Sequence, residues 1–180
     1  MSRVLLICML IALAPSVARA ADEFLHEEGA IALPGVVGRF DHFSVDFKHK
    51  RLFVAALGND TLEVLDLAHG KVVKQLPGLK EPQGVAFVAE TERIWVANGE
   101  SATIHVFDAK TFELAGTIST RDDPDNLRYD AAAKCVYVGY GRGDGAIGVC
   151  DAATLKKTGD IAVGGHPESF KIEPKCNRNF

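Results

Sequence analysis

Polar and charged residues recur in this 180-residue chain at a spacing that could assemble a binding site. They share a place just ahead of an apolar run, and they are Asp41, His42, Gln83, Asp125, Asn126, His166 and Glu168. Carboxylates, amides and imidazoles gathered at one level could hold a hard cation such as Ca2+, or grip a polar small molecule. The alternative is that Asp and Asn satisfy the turns before strands, as their side chains often do.

Other motifs of catalysis and cofactor binding are missing from the sequence. It contains no H-E-x-x-H, no G-x-S-x-G and no C-x-x-C-H, and the last absence excludes a covalent c-type haem within this chain. Residues 143–148 match G-x-G-x-x-G, but a dinucleotide site needs a strand that leads into a helix. Here a hairpin leads into another strand, so we interpret the segment as a loop.

The elements that must position these residues form an internal repeat. Arg51–Ala55 recurs as Arg93–Ala97, 42 residues later, and Thr61–Asp66 recurs as Thr103–Asp108 and Ala146–Asp151, at offsets of 42 and 43. Several independent markers therefore agree on one period, and such a period is the signature of a repeat architecture.

Each repeat is predicted to contain four short strands. β-branched and aromatic residues dominate the apolar runs, turn residues separate them, and no helical period persists. Four strands in about 40–45 residues make a β-propeller blade, so the predicted fold is all-β with four-stranded antiparallel blades. The predicted segments are a signal peptide at 1–20, a ring-closing strand within 21–39, blade repeats at 40–81, 82–123 and 124–166, and the start of a fourth blade at 167–180.

Residues 1–20 are predicted to be a cleavable leader. Arg3 precedes the apolar run Val4–Pro15, and Ala18–Ala20 supplies a small-x-small cleavage signal. This run is too short for a membrane span, and no later stretch approaches the required length. We expect a periplasmic or secreted protein without a membrane span after cleavage. The formal net charge of −4 argues against nucleic acid as a partner.

The ends of the repeat array predict an incomplete ring. Leu33–Gly35 echoes Leu76–Gly78, so a strand near Glu28–Leu33 is expected to complete the last blade of a closed propeller. About three and a half blades are present, and the sequence stops within the second strand of a fourth. We expect a fragment, or an assembly in which two chains complete one ring, and open blade edges favour self-association.

Three cysteines remain after the leader, namely Cys135, Cys150 and Cys176. A hairpin centred near Arg142 and Gly143 would set Cys135 opposite Cys150, at a cross-strand distance that a disulfide can bridge. An oxidising compartment favours that bond. This pairing would leave Cys176 free.

Arg93–Asn98 followed by Thr103–Asp108 resembles the YVTN-type (YncE-like) β-propeller repeat of exported bacterial proteins. Leu52–Ala55 and Val136–Gly139 are weaker forms of the same pattern. The resemblance implies a seven-bladed design and a binding or interaction module for an unknown protein or small molecule, without catalysis. The alternative is an enzyme with its site at the mouth of the central channel, such as a lactonase-like hydrolase or a periplasmic redox partner.

Overall fold

The computed structural model describes residues 26–173, in which twelve strands form three antiparallel sheets. Each sheet is a meander of four strands consecutive in the chain, and we call the sheets blades 1, 2 and 3. Blade 1 contains β1 (Phe43–Asp46), β2 (Arg51–Ala56), β3 (Thr61–Asp66) and β4 (Lys71–Leu76). Blade 2 contains β5 (Pro82–Val88), β6 (Arg93–Asn98), β7 (Thr103–Asp108) and β8 (Leu114–Ser119). Blade 3 contains β9 (Leu127–Asp130), β10 (Cys135–Tyr140), β11 (Ala146–Asp151) and β12 (Lys156–Ala162).

The prediction of an all-β chain is confirmed. Within residues 26–173 the structure has no α-helix, and its one helical element is a 3-10 turn at Leu57–Asn59. None of the described helical structure is long or apolar enough to cross a membrane. The predicted signal peptide at 1–20 and Cys176 lie outside the described residues.

Blade 2 is buried on both faces, which explains the unbroken apolar run of β6. Successive side chains of a strand point to opposite faces. Accordingly, Ile94 and Val96 pack into the core shared with blade 1, whereas Trp95 and Ala97 pack into the core shared with blade 3. All four side chains are fully buried. The repeated pattern therefore encodes the stacking of blades as well as the strands themselves.

Arginines at the start of the second strand also join neighbouring blades. The guanidinium of Arg51 donates to the carbonyl of Ala109, and that of Arg93 donates to the carbonyl of Ala153 at 3.1 Å. Both contacts cross from one blade to the next. This contact between blades therefore recurs after 42 residues, at the edge of the sheets where the second strands begin.

The predicted N-terminal strand is not formed among the described residues. Residues 26–42 contain no strand, although the sequence predicts one near Glu28–Leu33. A strand needs a partner that supplies ladder hydrogen bonds, and none of the twelve described strands pairs with residues 28–33. Residues 163–173 likewise contain no strand.

The predicted disulfide between Cys135 and Cys150 is wrong by one residue of register. Cys135 lies opposite Asp151, and Cys150 lies opposite Val136. Adjacent residues of a strand point to opposite faces, so the two thiols lie on opposite sides of the sheet. Both are free. The cause is the hairpin loop, which holds five residues between Tyr140 and Ala146 and includes Gly141 with a φ of 101°.

Candidate functional site

The site is built where the first strands of the three blades begin, and we call this end the channel mouth. In blade 1, the Asp41 amide donates to the Ala55 carbonyl at 3.0 Å, and the Ala55 amide donates back to the His42 carbonyl at 3.0 Å. These bonds extend the β1–β2 ladder beyond Phe43. The His42 amide then donates to the Gln83 carbonyl at 3.2 Å. Blade 1 is thereby attached to blade 2 at this level.

Blade 3 repeats the arrangement. The Asp125 amide donates to the Gly139 carbonyl at 2.8 Å, and the Gly139 amide donates to the Asn126 carbonyl at 3.0 Å. The Asn126 side-chain amide donates to the Glu168 carbonyl at 3.0 Å. The polar residues that precede each first strand are thus fixed by backbone pairing and brought to one level.

A cavity of about 560 Å³ opens at the channel mouth. Six of the seven residues predicted from the repeat line it, and the seventh, Asn126, is 1% exposed and lies beside Asp125 in the chain. Three further lining residues were not predicted. The full lining is Arg39, Phe40, Asp41, His42, Gln83, Asp123, Asp125, His166 and Glu168.

Three of the lining side chains converge tightly. Asp41, His42 and Asp125 each offer one donor atom, and these atoms lie within 4.8 Å of one another. His42 lies between the two carboxylates, with Nδ1 3.5 Å from Asp41 Oδ1 and Nε2 3.4 Å from Asp125 Oδ1. The second oxygen of Asp41 contacts the guanidinium of Arg39 at 3.2 Å. Its first oxygen is the one that faces the imidazole.

The environment of His42 favours its charged form. Contact with the Asp125 carboxylate raises the pKa of His42 above its ordinary value, and burial opposes that rise. The negative charges of Asp125 and Asp41 add to it, whereas Arg128 acts against it. The site therefore attracts positive charge, whether as a proton or as another cation.

Some polar atoms at the channel mouth have no hydrogen-bond partner. Among the described side chains, buried atoms without a partner include His42 Nε2, Asp125 Oδ1 and Asn126 Oδ1. The contact of 3.4 Å between His42 and Asp125 lacks the alignment of a hydrogen bond. Asp125 is only 8% exposed. An unpaired buried carboxylate oxygen is costly, and this cost singles out Asp125 from the other acids of the cavity.

His166 approaches Asp125 from the opposite side. Its Nδ1 lies 2.9 Å from the Gly141 carbonyl, and a carbonyl only accepts, so Nδ1 carries the proton. Its Nε2 lies 3.8 Å from Asp125 Oδ2. The tautomer is therefore fixed by the hairpin loop of blade 3, with Nε2 directed at the carboxylate.

Two of the three residues that the sequence reasoning missed obey the same period. Arg39 and Asp123 are separated by 84 residues, with Glu81 midway between them. Asp123 accepts from the Gln83 side chain at 3.0 Å and pairs with Arg142 at 3.1 Å. Extending the period two residues upstream of Asp41 would have found them.

The chain matches the family described as "Cytochrome D1 heme domain" over residues 15–169. It belongs to this family. The match covers all three blades and every lining residue of the channel mouth. The predicted β-propeller fold is confirmed by this match and by the solved structures below. The matches support a β-propeller family, and they do not show the finer YVTN-type resemblance.

Two named enzymes are among the similar solved structures. Hydrazine synthase of Kuenenia stuttgartiensis superposes with a TM-score of 0.66 at 21% identity, over 79% of this chain and 40% of that chain. The dihydro-heme d1 dehydrogenase NirN, in complex with DHE, gives a TM-score of 0.57 at 17% identity, over 63% of this chain and 26% of that chain. At these identities the likeness shows the fold.

The names of two further similar proteins do not describe an enzyme. Sqt1 of Saccharomyces cerevisiae gives a TM-score of 0.57 at 13% identity, over 72% of this chain and 36% of that chain. Antigen Lp49 of Leptospira interrogans is 28% identical over 134 residues, which is 66% of this chain and 29% of Lp49. The chain thus spans between about a quarter and two fifths of the length of these proteins.

Proposed function

We propose that this chain is part of an exported, YVTN-like β-propeller that acts as a binding or interaction module, with its ligand held at the channel mouth. The observation that carries this proposal is the buried Oδ1 atom of Asp125, which accepts no hydrogen bond and lies at the wall of a cavity lined by six residues of the repeat pattern. Ligand sites are usually concave and contain a few convergent polar groups. The leader predicted at residues 1–20 supports the exported location.

The family is described by a haem domain, so the cavity is compared with what a haem requires. A haem iron is commonly held by histidine, and the fixed Nδ1 proton of His166 leaves Nε2 as the nitrogen that could coordinate a metal. The cavity volume of about 560 Å³ lies within the ordinary range for ligand pockets. These two features favour a haem.

The remaining lining does not suit a macrocycle. Phe40 is its one large apolar side chain, whereas four carboxylates face the cavity. They are those of Asp41, Asp123, Asp125 and Glu168. A haem presents a broad apolar plane and carboxylates of its own, and like charges repel in a partly buried site. Arg39 is already paired with Asp41. The described residues therefore do not by themselves fit a haem, and they suit a smaller, positively charged or polar ligand.

The proposal can be tested by native mass spectrometry of the chain purified from a bacterial periplasm with a histidine-free tag. We expect an N-terminus at Ala21 and a retained group, or saturable binding of Zn2+ or Ca2+, with haemin as the probe that the lining disfavours. Replacement of Asp125 by Ala should abolish the cation signal. An unligated mass together with no saturable binding of any probe would refute the ligand site, and an uncleaved leader would refute the export.

A further inference from the structure

The two partnerless atoms of His42 and Asp125 lie at the separation of two metal ligands. His42 Nε2 and Asp125 Oδ1 are 3.4 Å apart, both are buried, and neither has a hydrogen-bond partner. Metal–nitrogen and metal–oxygen bonds of about 2.0–2.2 Å place neighbouring ligands of a tetrahedral ion about 3.3–3.6 Å apart. Asp41 belongs to the same cluster, in which one donor atom of each residue lies within 4.8 Å of the others, and its Oδ1 is 3.5 Å from His42 Nδ1. This proximity makes Asp41 the third candidate ligand.

We propose that the channel mouth binds one first-row divalent transition-metal ion, of the Zn2+ class, through His42, Asp125 and Asp41. The inference rests on the proposed function only in placing the ligand at this cavity. Three protein ligands leave a coordination position open towards the cavity, as in zinc sites that bind water or substrate.

The donor set distinguishes this ion from calcium, which the sequence had suggested. Ca2+ takes six to eight oxygen ligands. Here the imidazole ring of His42 lies between two carboxylates, one facing each of its nitrogens. Imidazole favours zinc, iron, nickel and copper over hard cations. The mixed nitrogen and oxygen set therefore selects a transition metal.

The Arg39 guanidinium orients one of the ligands. Ligating carboxylates are usually held by an outer shell of donors. The Arg39 guanidinium donates to Asp41 Oδ2 at 3.2 Å and leaves Asp41 Oδ1 facing His42 Nδ1. Asp125 Oδ1 faces the other ring nitrogen, Nε2.

The competing explanation is a protonated His42 between two carboxylates, with no metal. That ion pair would satisfy the same charges. The two explanations differ in whether a divalent ion displaces the proton with saturable, selective affinity. Direct metal titration therefore separates them.

The experiment titrates the metal-free chain, purified with a histidine-free tag, with Zn2+ against a chromophoric chelator and with Co2+ by visible absorption. We expect one ion per chain, with Ca2+ and Mg2+ unable to compete at about 100-fold excess. Asp125→Asn and His42→Gln should each weaken Zn2+ binding about 100-fold or more. The matched control is Glu113→Gln, since Glu113 is an exposed carboxylate outside the cavity lining, and it should change affinity less than about threefold.

The proposal is overturned if Zn2+ does not bind saturably, if Ca2+ competes equally, or if the ligand variants bind like the control. His42 is a third exposed, so His42→Gln keeps the test valid should Asp125→Asn not fold, and the selectivity of the unmodified chain needs no variant. If haemin or another retained group binds while Zn2+ does not, the metal proposal fails and the proposed function stands.

Discussion

Replacement of Arg51 by Ala should destabilise the fold more than the loss of any exposed ion pair. Arg51 contacts the Asp46 carboxylate through two nitrogens, at 2.7 and 3.2 Å, and also donates to the Ala109 carbonyl of blade 2. Asp46 is 1% exposed. One guanidinium thus neutralises a buried carboxylate and ties two blades together.

The size of the effect follows from what the substitution leaves behind. Removing one partner of a buried ion pair costs about 3–5 kcal/mol, because the other charge stays buried and uncompensated. His49 still donates to Asp46 from its backbone amide, and its ring contacts the carboxylate at 2.8 Å. We therefore expect the lower end, about 3 kcal/mol. With a urea m-value of about 2 kcal/mol/M, the midpoint falls by about 1.5 M.

Urea unfolding followed by fluorescence measures this shift directly. Trp95 is the single tryptophan of the chain and is fully buried in the core between blades 2 and 3. Lys48→Ala is the matched control, because Lys48 also pairs across blades 1 and 2, with Glu92 at 3.5 Å, but with 77% of its side chain exposed. That control should cost less than about 1 kcal/mol. Equal urea midpoints for the two variants would refute the conclusion that the buried contacts of Arg51 stabilise the fold more than an exposed ion pair does.

Three other outcomes are expected. Burial raises the pKa of Asp46, but hydrogen bonds from its arginine and histidine partners outweigh that effect and hold the pKa below its ordinary value. The stabilising contribution of ionised Asp46 is therefore present above its unfolded-state pKa of about 3.9 and is lost as the pH falls through the lower pKa of the folded state. Asp46→Asn should therefore reduce the loss of stability that acid causes, as measured by unfolding at several pH values. Burial raises the pKa of both thiols, that of Cys150 to about 11, and only Cys150 is fully buried. Iodoacetamide at neutral pH should therefore label Cys135 and spare Cys150 until the chain unfolds, as peptide mass mapping will show. An added Cβ at Gly84 would overlap a backbone carbonyl of blade 3, whereas one at Gly159 meets nothing within 4 Å. Gly84→Ala should therefore lower the free energy of unfolding in urea by about 1–3 kcal/mol or more. The control Gly159→Ala should lower it by no more than about 0.5 kcal/mol.

Most of the fold and most of the candidate site could be predicted from the repeat period. Residues one period apart occupy equivalent places in successive blades, so the spacing alone brings Asp41 and Asp125 to one cavity. Register within a hairpin is not fixed by the period. The hairpin loop of blade 3 has one residue more than the prediction assumed, and Gly141 in this loop has a positive φ. Cys135 therefore lies opposite Asp151 and not opposite Cys150. The predicted ring-closing strand stays a prediction for a related reason, because pairing depends on a partner edge that a local pattern does not specify.

The aspartates that recur with the repeat period are of two kinds among the described residues, and that difference supports the proposed ligand site at the channel mouth. Three aspartates one period apart end the third strand of each blade, and each accepts hydrogen bonds from backbone amides two and three residues later: Asp66, Asp108 and Asp151. Such local bonds make them turn residues. Asp125 recurs with the same period but accepts no hydrogen bond at its buried Oδ1, and the His42 nitrogen facing it is unpaired as well. The fold satisfies its repeated aspartates elsewhere but leaves this pair of atoms, 3.4 Å apart, without hydrogen-bond partners, and this difference supports the proposed metal site.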